Sequence, residues 1–303
     1  MHMITRQRVA WVLRGFVSAA LLIWILTRPD LRHLGNDFWH LKPRWLMGGF
    51  LCAGLAFALS AWRWQACLRA LGIEIGLMRL FKISLVAAAI GCVSFGALGV
   101  DLAKVMLVGR QLPSKRMRVL SSIALDHVSA LPFLLGMVLV ALIAHGIIPE
   151  IDSTGVWIFA GVLVLTVLAI LVLAWKFEKL HIEGLLILKS PATWIGLLTA
   201  ASRSIPMWLS YCGVFYCAAR AFGVVVPIEG FAGMIAIADG LASLPLTIAG
   251  LGVREEAFQL LFVNWYGVPA SSAVGISLTG FLLSLVWSAV GVLGINHEIG
   301  EVK

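Results

Sequence analysis

Residues 83–110 read ISLVAAAIGCVSFGALGVDLAKVMLVGR. The first 18 of these are apolar or small, after which Asp101 and Lys104 interrupt the run. Gly91, Gly96 and Gly99 punctuate it, and a basic cluster, Arg110, Lys115, Arg116 and Arg118, follows. A single plain span here would carry that cluster to the outer face of a membrane. A hairpin that enters and leaves on the cytoplasmic side keeps it inside, where Lys and Arg collect. The choice between span and hairpin sets the orientation of every segment that follows.

Composition places the whole chain in a bilayer. Of 303 residues, 61% are hydrophobic and only 13% charged, against roughly one quarter charged in soluble domains. Mean hydropathy is +0.99. Ser153–Trp175 carries no charge, and neither does Ala257–Asn296, although Asn264 and the turn-like Tyr266-Gly-Val-Pro269 interrupt the latter. Such runs meet the length of about 20 apolar residues that a spanning helix needs. The net charge of +8 lies in the loops between them and is an orientation signal, with no nucleic-acid partner implied. The five cysteines, Cys52, Cys67, Cys92, Cys212 and Cys217, sit inside apolar runs and read as small packing residues. Neither a disulfide framework nor metal-ligand spacing is visible among them. The basic N-terminus and its apolar run to Leu26 end in TRPDLRH, without a small-residue cleavage pattern, so this segment reads as a retained first helix.

The expected fold is an all-α polytopic membrane protein, one integral domain over 1–303. About six full transmembrane helices are expected, near 9–27, 45–65, 119–146, 155–175, 192–221 and 270–293. Two re-entrant or broken hairpins, near 83–109 and 230–264, complete it, and residues 66–82 suit a short amphipathic surface helix. Trp62 and Trp64 around Arg63 read as an interfacial anchor. Both termini are then cytoplasmic. Sixteen of the 23 Lys and Arg fall on the cytoplasmic side, and four, Arg28, Arg32, Lys42 and Arg44, in the first outer loop.

The two interrupted segments echo each other. Leu98-Gly99-Val100-Asp101 aligns with Leu251-Gly252-Val253-Arg254, and the two enter from opposite sides. That is the pattern of an inverted repeat whose broken helices meet near the midplane and form a substrate site. Irregular backbone survives there only around protein or a water-filled cavity. Glycines permit the bends. Half-helices starting after them aim N–H groups at the cavity, a setting for phosphate. Charges at such depth are costly and belong in the interior. The candidate substrate-binding residues are therefore Asp101, Lys104, Asp126, His127, Arg203, Asp239, Pro245, Gly250, Gly252, Arg254, Glu255 and Glu256. Arg203 is expected to pair with Asp239 or Asp126, or to bind substrate. Lys104 either lines the cavity or reaches back to the cytoplasm. His127 is the weakest of the set.

These residues carry a resemblance. Pro245, Gly250, Gly252 and Glu255 match P-x-x-P-G-G-x-G-x-x-E, with Ile248 and Ala249 departing from it. Val100-Asp101-Leu-Ala-Lys104 is similar to G-D-x-x-R, and Asp126-His127-Val-Ser-Ala130 to E-R-x-x-D. In order and spacing these elements resemble the flippase-like family named for the transmembrane region of lysylphosphatidylglycerol synthase, over nearly the whole chain. The resemblance implies translocation of a lipid between leaflets of a bacterial inner membrane, with the lipid as substrate and a lipid-synthesising enzyme as a partner. No aminoacyl-transferase domain is visible, so synthesis of lysylphosphatidylglycerol is not expected of this chain. The departures leave the headgroup open: an anionic or aminoacylated phospholipid first, then a polyprenyl-phosphate-linked sugar or a hopanoid-type lipid.

Other classes fit less well. No G-x-x-x-x-G-K-[ST] loop is present, and no cofactor is implied. An intramembrane lipid-modifying enzyme would draw on the same carboxylates, but no nucleophile–base pair is visible. A small-solute transporter would share the broken helices.

Overall fold

A computed structural model describes residues 27, 34–92, 94, 96–144, 190–243 and 250–293. The spans expected near 9–27 and 155–175, and both termini, lie outside the described residues. Every regular element described is helical: α1 Leu34–Trp39, α2 Pro43–Ala70, α3 Leu77–Cys92, α4 Ala97–Gly109, α5 Arg116–Ala144, α6 Pro191–Ala221, α7 Ile228–Ala242, α8 Val253–Tyr266 and α9 Ala270–Leu293. A 3-10 turn, Pro113–Lys115, leads into α5.

The lengths sort into two groups. At about 1.5 Å per residue, α2, α5, α6 and α9 run roughly 36–46 Å, more than a hydrocarbon core of about 30 Å. Helix α2, the stretch Pro113–Leu139 and α9 are both long and apolar enough to cross a membrane. The paired helices α3–α4 and α7–α8 have 13 to 16 residues each. Each of these arms is therefore only about 20–24 Å long.

Helices α2 and α6 form an antiparallel central pair. The backbone N–H of Lys42, just before α2, donates to the carbonyl of Ala221 at the end of α6. At the opposite end, Gly196 lies against Ala66 and Ala70. Between these points small residues meet directly: Gly48 and Gly49 face Cys217, and Gly213 faces Cys52. Close backbone approach over small residues is how helices associate where lipid removes the hydrophobic drive. Large apolar side chains on these helices point outward instead, among them Met47, Leu51, Leu55, Leu198 and Leu209.

Each pair of short helices is a tight antiparallel hairpin with its own core. One core joins the end of α2, from Ala61 to Leu71, with Leu80 and Ile83 of α3, Val108 of α4, and Val119 and Ile123 of α5. The other is aromatic: Phe215 of α6, Phe231 of α7, and Phe258 and Phe262 of α8 pack ring against ring. Helix α9 closes against both hairpins. Gly291 meets Leu85 of α3, and Ser277 reaches α8.

The expected surface helix over 66–82 does not exist. Residues 66–70 are the last turn of α2, and residues 77–82 open α3, because the apolar run of α2 continues past the WRW motif into buried Cys67 and Leu68. Trp64 is likewise a core residue rather than an interfacial anchor: it is fully buried and donates from Nε1 to Ser122 Oγ at 3.0 Å.

Candidate functional site

Two charged clusters sit beside the two helix breaks. The first break restarts at Gly96, whose φ of 59° and ψ of −128° lie where only glycine rests comfortably. From there α4 carries an outward apolar strip, Leu98, Leu102 and Met106, at four-residue spacing. Asp101 lies at the edge of this strip. Its Oδ2 is 2.8 Å from Nε2 of His127 on α5. Behind that bridge, Asp126 accepts two hydrogen bonds from Arg63 of α2, from Nε and Nη2, both at 2.8 Å. Side-chain exposure falls from 58% at His127 and 22% at Asp101 to 8% at Arg63 and 5% at Asp126. The surface bridge thus closes over a buried, bidentate one.

Cations outnumber free carboxylates in this cluster. Lys104 is buried, with Nζ 5.0 Å from the centroid of Trp64. Arg203 of α6 lies 4.1 Å over the Trp62 ring and donates from Nη1 to the Trp62 carbonyl at 2.7 Å. Arg63, Lys104, Arg203 and Asp126 all lie close enough to Cys67 to act on it electrostatically. The Nη1 of Arg63 is buried without a hydrogen-bond partner.

The second break restarts at Gly252, with φ 88°. Gly250, with φ 71°, presses on Ala242 and leaves no room for a Cβ there, so the start of α8 is held against the end of α7. Glu255, in the first turn of α8, is fully buried. Its Oε2 accepts from Gly252 N–H at 2.7 Å and its Oε1 from Ser277 Oγ at 3.0 Å. This caps one otherwise free N–H of the helix start. Arg254 Nη2 lies 3.7 Å from Glu255 Oε1, and the guanidinium lies 5.1 Å from the Phe281 ring centroid. Tyr211 of α6 interacts with both Arg254 and Asp239, the latter near the end of α7. Buried Nε and Nη2 of Arg254 have no hydrogen-bond partner. Arg254 also acts electrostatically on Cys92, the last residue of α3, so its guanidinium lies within electrostatic range of the end of that helix.

Of the residues expected from sequence, Asp101, Lys104, Asp126, His127 and Arg203 gather at the first break. Asp239, Gly250, Gly252, Arg254 and Glu255 gather at the second, with half-buried Glu256 following Glu255 on α8. Pro245 lies outside the described residues. Arg203 pairs with neither Asp239 nor Asp126; its partner is Trp62. The aligned Leu-Gly-Val tripeptides also differ in place. Gly252 caps α8, whereas Gly99 is inside α4 beside Gly91 and Ser94, and Gly96 takes the capping position. Sequence reading missed Arg63, Tyr211 and Ser277. Arg63 was legible in principle, as a lone cation inside an apolar run that needs a buried acid.

A family model, the lysylphosphatidylglycerol synthase transmembrane region, matches residues 11–291. The chain belongs to that family. No curated protein matches it. The match spans both hairpins and nearly all of the long helices described, so both clusters lie within the matched region.

Proposed function

We propose that the protein is a lipid flippase or scramblase, which passes a polar headgroup between leaflets along a hydrated crevice while the acyl tails stay in the bilayer. One observation carries this reading: Arg254 is buried beside the N-terminus of α8 with two N–H donors unpartnered. Buried polar groups are almost always hydrogen-bonded, and a buried charge without full pairing is costly. A helix start adds further donors and positive potential. The arrangement suits a phosphate or the water that precedes it.

The short arms of both hairpins support re-entry rather than spanning, since each falls well short of the hydrocarbon thickness. In this reading α3–α4 enters from the cytoplasm and α7–α8 from outside, as in an inverted repeat, and the crevice lies where Cys92 meets Arg254. The membrane is the bacterial inner membrane. A lipid-synthesising enzyme supplies the substrate. Transport is downhill, ion-coupled or partner-driven, and the chain acts without changing the lipid covalently.

Purified protein in vesicles, with a fluorescent phospholipid or a polyprenyl phosphate and dithionite quenching of the outer leaflet, tests the proposal. Faster loss of inner-leaflet signal than in empty vesicles is expected. No acceleration with either lipid class would end it.

A further inference from the structure

The first hairpin meets α5 at two levels. At the turn between α4 and α5, Arg116 Nε donates to the Gly109 carbonyl at 3.0 Å, and Val108 packs with Val119 and Ile123. Nearer the break, Asp101 Oδ2 lies 2.8 Å from His127 Nε2. Asp101 is eight residues before Gly109, about 12 Å along α4. Leu98 and Leu102, to either side of Asp101, are half exposed and add little packing at this level. The bridge is thus the far fastening of an arm that is hinged at its other end. Gly99 stacks on Gly91 and Ser94, which joins the tip of α4 to the tip of α3.

This fastening is titratable. His127 stands nine residues beyond Arg118, about 14 Å along α5, yet its side chain is 58% exposed. In a helix long and apolar enough to cross a membrane, an exposed ionisable side chain at that depth belongs to a face that water reaches. The charged groups that act on the imidazole are Asp101 and Lys104 of α4 and, on its own helix, Asp126. Both acids favour a charged ring and Lys104 opposes it. Asp126 is committed to Arg63 of α2, so Asp101 is the acid left to answer a proton on His127. When the ring is charged, the contact is an ion pair. When it is neutral, a single uncharged N–H donor remains, and such bonds are roughly half as strong.

Resting on the lipid-transport reading, we infer that the His127–Asp101 bridge is a proton-operated clasp, which holds the tip of the first hairpin against α5 when His127 is protonated and frees it when His127 is neutral. The sign follows from the charge. An ordinary imidazole is charged below a pH of about 6.5. The clasp is therefore closed in mild acid and loosens as pH rises through the imidazole titration. A closed clasp fixes the arm beside the break, so acid slows lipid transfer.

The test reads the arm directly. In a full chain whose five cysteines are replaced by alanine, nitroxide labels are placed at Leu98→Cys on α4 and Leu120→Cys on α5, both on exposed positions. Their separation is measured in vesicles by pulsed electron resonance at pH 5.5 and pH 8.5. A lengthening of about 2 Å or more at pH 8.5 is expected, at or beyond the usual size of a helix shift between two states. His127→Gln and Asp101→Asn should each show the longer distance at both pH values. One distance at both pH values in the otherwise unchanged chain, or a pH response that survives in His127→Gln, overturns the inference. Dithionite quenching at the same two pH values then reads transfer, which should be about threefold or more faster at pH 8.5 and indifferent to pH in His127→Gln. Transfer at equal rates while the arm moves also overturns the inference. An arm that moves with pH in a protein that transfers no lipid keeps the clasp and removes the flippase; transfer with an arm that stays still does the reverse.

Discussion

The Asp126–Arg63 pair is the costliest single contact to break. Its two hydrogen bonds are short, near-parallel and out of water. Asp126→Asn leaves an arginine buried against a neutral amide, and removing one partner of such a pair typically costs about 3–5 kcal/mol. A fall of that size in unfolding free energy, measured by denaturant titration in detergent, is the expected result. Arg63→Lys keeps the charge but not the two-pronged geometry, and is expected to lose a smaller part of that stability. Arg254→Gln is expected to act differently. It removes two buried donors that make no hydrogen bond, but also the charge that faces Glu255, so some stability is lost as well, while the rate of lipid transfer by the folded variant drops at least tenfold, about 1.4 kcal/mol or more of barrier. An Arg254→Gln protein that transfers lipid at the full rate would remove Arg254 from the headgroup path. This division was half legible beforehand. Charge inside an apolar run marked Asp126 and Arg254 as interior, because depth makes charge expensive whatever its neighbours. Which cation meets which acid was not legible. Arg63 and Asp126 are 63 residues apart in the chain, and only the packing of α2 on α5 joins them. Arg203, by contrast, had acids to choose from on paper and found an indole.

At the scale of helices, the breaks were readable because glycine and charge coincide, while their register was not. Three glycines stand in the first segment, and the tripeptide match selected Gly99. The backbone selected Gly96, the one whose φ is positive; Gly99 serves instead to let α4 cross Gly91 of α3. Gly96→Ala should therefore cost about 1–3 kcal/mol through backbone strain. Gly76→Ala, with nothing within 4 Å of the new Cβ and no positive φ, should change stability by no more than about 1 kcal/mol. Equal losses from the two substitutions, measured by thermal unfolding, would contradict the assigned break. The boundaries of α6 and α9 were read within a residue or so, since long apolar runs ended by Pro, Gly or charge leave little freedom. The end of α2 was misread for the opposite reason. Arg69 and the preceding WRW look like an interface, yet Arg63, Trp64, Gln65 and Ala66 are all buried, with Arg63 and Trp64 bonded to α5 and Gln65 to the carbonyl of Ile75 just before α3.

At the scale of the molecule, the two hairpins rest on the α2–α6 pair and on α9, with Arg254 in electrostatic range of Cys92. How close the two come is open to a direct check. In a chain whose other four cysteines are replaced by alanine, Arg254→Cys is expected to link to native Cys92 through a short bifunctional thiosulfonate reagent. The link appears as a single fragment after proteolysis between α3 and α8; two separate fragments would place the tips apart.

The seam between α2 and α6 sets what can move. Where glycine backbone meets cysteine and alanine there is no layer of long side chains to act as a bearing, and sliding would drive a Cβ into a main chain within a fraction of a turn. The pair is thus a fixed mast, and any gate must swing in the rigging around it. A Cβ built at Gly213 would stand 3.6 Å from that of Cys52, within the span of a disulfide. Clamping the mast through Gly213→Cys oxidised to Cys52 should leave the pace of lipid exchange where it was.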